Sequence, residues 1–384
     1  MNNTPELLSP AGDLDKMRFG IAYGADAVYM AGTRFGMRAA ATNFDDNALR
    51  EGIAYAHAHG VKCYITVNIM PSNRDLPALP AYLELLQDAG ADALIIADVG
   101  VLRMARRYAP KVPVHISTQT SILNHEAANY WADEGAERIV LARELSLEEI
   151  AEIRAKTPKE LEIEAFVHGA MCISYSGRCL ISQYMTGRDA NHGACAQPCR
   201  WNYSLMEEKR PGQFFPVEED GRGTYLYNSK DMCMIEHVPE LIEAGITSFK
   251  IEGRNKTAYY AACVTGAYRA AIDTYKKDPE NFVLPQFCRD EVNKVSHRPY
   301  GTGFYFGPPG QNTASGGYIR EFEVAAVAEE WAGGLQRFRL RDRARHAVKD
   351  EAVRAVVAGD PLADDADDDI VRNELARVHK ALRF

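Results

Sequence analysis

One phrase occurs four times in this chain and decides its fold. It reads AYGADAVYMAG at residues 22–32, DAGADALIIAD at 88–98, DEGAERIVLAR at 133–143 and EAGITSFKIEG at 243–253. A shorter version, AHGVKCYITVN, occupies residues 58–68. In each copy a glycine follows helix-forming residues, which is typical of a left-handed helix C-cap. The apolar run after it is typical of a parallel strand buried on both faces.

Outward from these phrases, the chain shows eight strand segments. They are 7–9, 27–30, 62–68, 93–97, 114–118, 138–142, 162–167 and 247–251. Amphipathic stretches such as 45–59, 77–89 and 147–155 separate them. Strand–helix alternation repeated eight times predicts an α/β fold, a TIM-like (βα)8 barrel. The alternative is a doubly wound open sheet, which is less favoured because no GxGxxG motif opens the first helix.

One connection interrupts the alternation. About 80 residues separate Val167 from Thr247, where a barrel normally uses roughly 30. We therefore expect a barrel over residues 1–275 with a long cysteine-rich insertion, 168–246, after strand seven. It would leave the carboxyl end of that strand, which is the catalytic face of such barrels.

Beyond the barrel the composition changes. Residues 276–320 are rich in Pro, Gly, Tyr and Phe and predict an irregular extension packed on the barrel. Residues 321–384 predict a short, degenerate C-terminal β region with an acidic linker.

Composition limits the functional class. The chain has 384 residues, 44 basic and 53 acidic, with a formal net charge of −9. That balance argues against nonspecific coating of nucleic acid but permits a local basic patch. No apolar run is long enough to span a bilayer. The first residues show no basic region followed by an apolar stretch, and eight cysteines fit a reducing compartment, so we expect a cytoplasmic protein.

Five cysteines fall inside the predicted insertion. They are Cys172, Cys179, Cys195, Cys199 and Cys233, in the pattern C-x6-C-x15-C-x3-C-x33-C. A [4Fe-4S] cluster tolerates such irregular spacing. A structural zinc site usually shows paired knuckles, of which there is one here. A nucleophilic thiol with His168 as its partner is the third interpretation. The other cysteines, at positions 63, 263 and 288, are expected to be buried structural residues.

Long motifs around these cysteines resemble the peptidase U-32 family, historically called collagenase-like proteases. They are EAFVHGAMCISYSGRCLIS (164–182), GRDANHGACAQPCRWNY (187–203), KDMCMIEHVPELIEAGITSFKIEGR (230–254) and SHRPYGTGFYFG (296–307). The opening segment, ELLSPAGDLDKMRFGIAYGADAVYMAGTRFGMRA (6–39), agrees. The resemblance covers about residues 5 to 320.

The resemblance implies an oxygen-independent hydroxylase with a TIM-like barrel and a [4Fe-4S] cluster. The branch most similar to this chain makes 5-hydroxyuridine at the tRNA wobble position, with prephenate as the hydroxyl source. Other branches hydroxylate a cytidine of 23S ribosomal RNA or act in anaerobic ubiquinone synthesis. The implied cluster ligands are Cys172, Cys179 and Cys195. For the fourth ligand we favour Cys199, because the Cys195-x3-Cys199 spacing lets both thiolates reach one cluster from one turn. Cys233 is the alternative fourth ligand, or a thiol on the substrate side.

Prephenate would bring two carboxylates, so its pocket should contain fixed cations. Candidates are cations at the carboxyl ends of the strands. They are Arg38 after strand two, Arg143 after strand six, and Lys250 and Arg254 around the end of strand eight. The alternative is that they pair with neighbouring carboxylates, Arg143 with Glu144 and Lys250 with Glu252.

Polar residues in and after the strands complete the predicted site. His115 and Gln119 alternate along strand five and share one face, and Asn68 ends strand three. Glu164 and His168 end strand seven beside the first cluster cysteine. As general acid–base candidates we choose His168 first and Glu164 second. The alternative for all of these is a polar layer of the barrel core.

An RNA substrate would need a local binding patch. The insertion carries arginines at 178, 188, 200, 210 and 222, and aromatic residues at 201 and 203. Trp201 could stack on an extruded base or cover the cluster as an apolar lid. Peptidase chemistry has weak support, because no G-x-S-x-G motif occurs and HEAAN at 125–129 lacks a second histidine. A non-catalytic cluster protein acting as a scaffold is the third possibility.

Overall fold

The computed structural model describes residues 4–38, 41–172, 174–201, 204–206, 214–216, 229–309, 318–322, 326–332 and 335–340. The chain forms two compact units, Met1–Arg320 and Glu321–Phe384. The predicted RNA contacts at positions 203, 210 and 222 lie outside the described residues.

The strands, in chain order, are β1 (Glu6–Pro10), β2 (Ala27–Met30), β3 (Lys62–Val67), β4 (Ala93–Ile96), β5 (Val114–Ile116), β6 (Arg138–Val140), β7 (Glu162–Ala170), β8 (Ser204–Met206), β9 (Phe214–Pro216), β10 (Asp231–Cys233), β11 (Ser248–Ile251), β12 (Tyr300–Gly301), β13 (Ala326–Ala332) and β14 (Leu335–Leu340). The helices are α1 (Leu14–Ala22), α2 (Asp46–Ala58), α3 (Leu79–Asp88), α4 (Val99–Tyr108), α5 (His125–Asp133), α6 (Leu147–Ala155), α7 (Ile181–Thr186), α8 (Val238–Glu243), α9 (Ala258–Lys277) and α10 (Gln286–Lys294).

Eight parallel strands close into a barrel. Strands β1 to β7 pair in chain order, and β11 pairs with both β7 and β1. Helices lie between consecutive barrel strands. This confirms the TIM-like (βα)8 fold and excludes the open doubly wound sheet. No helix in the described part of the chain is long and apolar enough to cross a membrane.

The repeated glycines have the conformation that the sequence predicts. Gly24, Gly60, Gly90, Gly135 and Gly245 have φ angles between +71° and +92°. L-residues with a Cβ avoid this left-handed region, so glycine ends each helix at little cost. The helix starts are also encoded locally. Ser146 and Glu149, for example, form a reciprocal capping box at α6.

The chain after β7 adds two short strands to the barrel sheet. Strand β10 pairs antiparallel with the end of β7, and β12 pairs parallel with β10. The fully buried ion pair of Arg298 with Asp231, 2.8 Å, ties these segments together. Residues 276–320, predicted to be irregular, contain α10 and β12. Only Cys288 and Val292 of α10 are buried, so its sequence shows little of the apolar periodicity that marks a helix.

A buried ion network fills the barrel near the amino ends of its strands. Arg138 Nη1 lies 2.6 Å from Glu6 Oε1 and 3.2 Å from Glu164 Oε2. Lys250 Nζ lies 2.5 Å from Glu164 Oε1. Arg138 also lies over the ring of Tyr64. These charges are withdrawn from water, so each depends on its partners for compensation.

Replacing Arg138 should destabilise the barrel strongly. Arg138→Met leaves Glu6 and Glu164 without their shared cation, and we expect a loss of about 3–5 kcal/mol in the free energy of unfolding at pH 7. Burial alone would raise the pKa of Glu6, but Arg138, together with hydrogen bonds from Tyr64 and Ser248, outweighs burial and lowers it. That stabilisation is present above the carboxyl group's ordinary pKa and is lost as pH falls through the lowered one. The Arg138→Met variant should therefore lose less stability on acidification.

Urea unfolding at pH 7 and at acidic pH measures both effects. Arg106→Met, which breaks an exposed pair with Glu134, is the matched control and should change stability by less than about 1 kcal/mol. Equal losses in the two variants would contradict the role assigned to the network.

Candidate active site

The carboxyl ends of the barrel strands gather three arginines from distant parts of the chain. Arg38 follows β2, Arg143 follows β6 and Arg254 follows β11. Arg143 and Arg254 are buried, and Arg38 is partly buried. All three are influenced electrostatically by Glu252, so they face a common region. We call these residues the mouth arginines.

Arg254 has an unusual environment for a buried cation. Its side chain is 3% exposed, and Nη1 donates a hydrogen bond to Thr66 Oγ1 at 3.3 Å. Among the described residues it forms no ion pair with a carboxylate. Burial and the positive charge of Arg38 together lower the pKa of Arg254 to about 10, although Tyr29 and Glu252 work in the other direction. The guanidinium is therefore charged at neutral pH and poorly compensated by the protein.

Arg143 connects the barrel to the cysteine-rich segment. Nη1 donates to Ala170 O and Nη2 donates to Ser176 Oγ, both at 3.0 Å. Its side chain also reaches the sulfur of Cys172. Burial alone would lower the pKa of Arg143, but Cys172, Glu252 and Glu144 together outweigh burial and the pKa is raised.

Arg38 is held by a strained backbone and a carboxylate. Its φ angle is +74°, a left-handed conformation that is uncommon for a residue with a side chain. The backbone N–H of Ala41 donates to its carbonyl at 3.0 Å. Its Nε lies 3.4 Å from Glu252 Oε1, and Glu252 is the main cause of its raised pKa. Strain of this kind is typical of functional sites.

An amide cluster lies beside the mouth arginines. Gln119 Nε2 donates to the carbonyl of Asn68 at 2.7 Å, and Ser117 Oγ donates to Gln119 Oε1 at 3.0 Å. Asn68 Oδ1 in turn accepts from the backbone N–H of Met37 at 3.1 Å. These bonds connect the ends of β3 and β5 to the loop that carries Arg38. Asn68, Gln119, Arg38, Arg143 and Arg254 thus lie where the sequence predicts a substrate site.

Three other candidates lie deeper. Glu164 is completely buried and pairs with Lys250 and Arg138. His115 is buried with its ring edge against Tyr64, and burial lowers its pKa well below the usual value. These side chains occupy the closed barrel interior below the mouth arginines. Lys250 pairs with Glu164 rather than Glu252, and Arg143 makes no ion pair with Glu144.

His168 faces away from the mouth arginines. Lys250 pairs with Phe166 and Ile251 pairs with His168, so Val167 has no partner in β11. Such a bulge turns the following side chain to the other face of the strand. The imidazole lies among the rings of Tyr260, Tyr268 and Tyr300. Burial lowers its pKa to about 3, so it is neutral at pH 7. Its general acid–base role, like that of Glu164, stays a prediction.

The cysteine-rich segment is anchored across the barrel mouth. The backbone N–H of Met70 donates to Asn191 O at 3.1 Å, and Asn191 Nδ2 donates to Cys179 O at 3.3 Å. Gly193, with φ +87°, packs so closely that an added Cβ would lie 3.1 Å from the carbonyl of Gly36. The segment therefore lies directly on the loop that carries Arg38.

The cysteines differ in their surroundings. Cys172, Cys179, Cys195 and Cys199 are partly exposed and form no disulfide, whereas the other three outside the segment, Cys63, Cys263 and Cys288, are buried. Cys172 and Cys195 both raise the pKa of Arg38, which places them on the same side of the mouth. The backbone N–H of Gln197 donates to Cys195 Sγ at 3.4 Å.

Cys233 lies elsewhere, in β10 opposite His168. Burial raises the pKa of its thiol to about 12, although its hydrogen bonds with the Ile235 backbone and Tyr268 work in the other direction. Among the described residues, no three His, Cys, Asp or Glu side chains are close enough to hold one metal ion. A [4Fe-4S] cluster has a different requirement, because each thiolate binds a different iron.

Glu252 is the residue that sequence reasoning missed. It is the carboxylate partner of Arg38 and also influences Arg143 and Arg254. Its position in KIEGR, two residues after Lys250, was the available signal, because alternate residues of a strand share a face.

Comparisons with known proteins agree with the fold and with the motifs. The model of Peptidase family U32 matches residues 12–315. The "tRNA hydroxylation protein P1" of Bacillus subtilis (strain 168) is 44% identical over 306 residues, covering 80% of this chain and 72% of that protein. The "tRNA hydroxylation protein P" of Escherichia coli (strain K12) is 40% identical over 341 residues, covering 78% of this chain and 74% of that protein.

A third relative acts on a different RNA, according to its name. The "23S rRNA 5-hydroxycytidine C2501 synthase" of Escherichia coli (strain K12) is 40% identical over 307 residues. The match covers 78% of this chain and 45% of that protein.

Proposed function

This chain belongs to peptidase family U32, and from that membership we propose that it is an RNA-modifying enzyme that hydroxylates a pyrimidine of tRNA. The finer proposal is oxygen-independent 5-hydroxylation of the wobble uridine, with prephenate as the hydroxyl source and a [4Fe-4S] cluster as the cofactor. The names of the relatives support RNA hydroxylation. The observation that carries the finer proposal is the set of mouth arginines beneath a thiol-rich segment.

The mouth arginines suit a small dicarboxylate. Glu252 influences all three guanidinium groups and Glu144 influences Arg143 as well, so three positive charges face two carboxylates and the site retains excess positive charge. Arginine binds carboxylates through two parallel N–H donors, which fixes the ligand's orientation as well as its charge. Arg254 provides the best-placed donor, because its guanidinium has no carboxylate partner among the described residues. Asn68 and Gln119 then form the polar side of the same pocket.

The thiol donors fit an iron–sulfur cluster. Cys172, Cys179, Cys195 and Cys199 would hold it. The Arg143 side chain and the Gln197 N–H would stabilise the bound thiolates at Cys172 and Cys195. Such a cluster would supply one-electron-transfer chemistry when it is bound. The role of these protein residues is to orient the ligands and to balance their negative charge.

The fourth ligand can be identified with two variants. Cys199 follows Cys195 by four residues, whereas Cys233 lies in β10 opposite His168, with its thiol hydrogen-bonded to Tyr268. We therefore expect Cys199→Ala to lose most of its iron after anaerobic purification, and Cys233→Ala to retain about four irons per chain. Iron and sulfide quantitation gives the answer. The reverse pattern would move the fourth ligand to Cys233.

The proposed reaction is tested on RNA from a deletion strain of the source organism. We expect tRNA from that strain to lack 5-hydroxyuridine-derived nucleosides and expression of the gene to restore them. Mass spectrometry of digested tRNA and 23S rRNA measures both candidate products. Loss of 5-hydroxycytidine from 23S rRNA alone would favour the ribosomal substrate, which the third relative represents. Unchanged nucleosides in both RNAs, with peptide hydrolysis by the purified chain, would overturn the proposal.

A further inference from the structure

We propose that the exposed face of residues 174–201 is a platform that binds the unpaired RNA loop carrying the target base. The platform consists of Tyr175, Arg178, Tyr184, Arg188 and Trp201. The inference rests on the proposed function, because it names the surface by which the enzyme would hold its RNA.

The aromatic side chains of the platform are exposed to an extent that packing does not explain. Tyr184, on α7, is 92% exposed, and Trp201 and Tyr175 are 46% and 42% exposed. A ring as exposed as Tyr184 covers neither the barrel nor a cluster, so it is not part of a lid. Aromatic side chains presented to solvent are the stacking surfaces that proteins use for unpaired bases.

The charge of this segment is suited to RNA. Residues 165–206 carry three arginines and a single acidic residue, Asp189, in a chain with net charge −9. The carboxylate of Asp189 is occupied by the N–H of Asn191 and by His192. Arg178 and Arg188 are exposed and form no ion pair with any described residue. They are therefore available to phosphate groups while most of the protein surface repels RNA.

The segment that carries the platform lies over the entrance to the mouth arginines. Ser176 accepts a hydrogen bond from Arg143, and Gly177 packs against Gln119. His192 reaches Asp75 in the loop after β3, at 3.2 Å. A base that is modified inside the barrel mouth has to leave its stack and pass this segment. Moving a base out of its stack takes less free energy in an unpaired loop than in a duplex. The neighbouring bases of the loop can then stack on the exposed rings.

Binding of unmodified tRNA to the full-length, anaerobically purified protein tests the platform. We expect Tyr184→Ala and Trp201→Ala each to weaken binding about 5- to 100-fold, the range for loss of one stacked base. Tyr184→Phe keeps the ring and should bind like wild type. Arg188→Gln should reduce the slope of log affinity against log salt by about one. Tyr130→Ala removes a tyrosine that is 54% exposed on α5, and should leave binding unchanged.

The outcomes distinguish failure of the proposed RNA-binding platform from failure of the proposed function. Iron content and circular dichroism of each variant confirm that it is folded. If wild type hydroxylates tRNA and Tyr184→Ala and Trp201→Ala both bind tRNA normally, the platform is wrong and the proposed function stands. If wild type neither binds nor modifies RNA, both fail. If Tyr184→Ala instead converts a dimer to a monomer with unchanged RNA affinity, the surface is an interface between two copies of this chain, which also overturns the proposal.

Discussion

Cys172→Ala should abolish the proposed cofactor and hydroxylation together. Cys172 contacts the buried Arg143, whose positive charge would balance a thiolate bound to the cluster. Loss of one of four thiolates leaves an iron exposed to solvent, and we expect iron content to fall severalfold with no detectable 5-hydroxyuridine. Anaerobic purification, visible absorbance, EPR, and iron and sulfide assays measure the cluster. Cys179→Ala should behave in the same way.

A matched control separates cluster loss from general damage. Cys263→Ala removes a buried thiol on α9 whose pKa burial raises to about 12, and it should retain iron, absorbance and activity. Full iron content in Cys172→Ala would refute the ligand assignment. Stoichiometric zinc without sulfide in wild type would make the site structural and leave the proposed hydroxylase without its redox centre.

Arg254→Met should reduce kcat/KM by roughly 100- to 1,000-fold without destabilising the protein. The guanidinium is buried, lacks a carboxylate partner in the described structure, and has its pKa lowered to about 10 by burial and by Arg38. Keeping such a charge in the absence of a ligand costs folding energy, so its removal should leave the free energy of unfolding unchanged or higher. Steady-state kinetics with varied dicarboxylate, together with urea unfolding, measure the two effects.

Two further variants sharpen that comparison. Arg254→Lys keeps the charge but loses the planar pair of donors, so its activity should lie between those of wild type and Arg254→Met. Arg34→Met removes an exposed arginine of the loop after β2, which pairs with Asp46 at the start of α2. This variant should have nearly wild-type kinetics. If activity and stability fall together in Arg254→Met, the residue supports the fold instead of binding the ligand.

Much of the site was predictable because barrel topology determines where strand ends meet. Arg38, Asn68, Gln119, Arg143 and Arg254 each follow a strand in the sequence, and parallel strands bring all their carboxyl ends to one face. To predict that these residues lie close together, only the strand assignments were needed. Those assignments depended on local signals, namely the helix-ending glycine and the apolar run that follows it.

The depth and partners of the other candidates were not predictable in this way. Glu252 pairs with Arg38, which is 214 residues away along the chain, and Lys250 pairs with Glu164 on the neighbouring strand β7. Proximity in sequence suggested different partners. The side of β7 on which His168 lies depends on the bulge at Val167, and a one-residue shift reverses every later side chain of a strand.

The sequence by itself therefore determined the barrel and the face on which the candidate residues at the strand ends gather. These features come from interactions within a few residues and from periodicity, which the chain encodes locally. Only the tertiary structure decided which charges are compensated, which side chains lie below the mouth arginines, and that Tyr184 remains exposed. These properties depend on barrel closure and on the packing of the insertion, which bring together residues that are far apart in the chain.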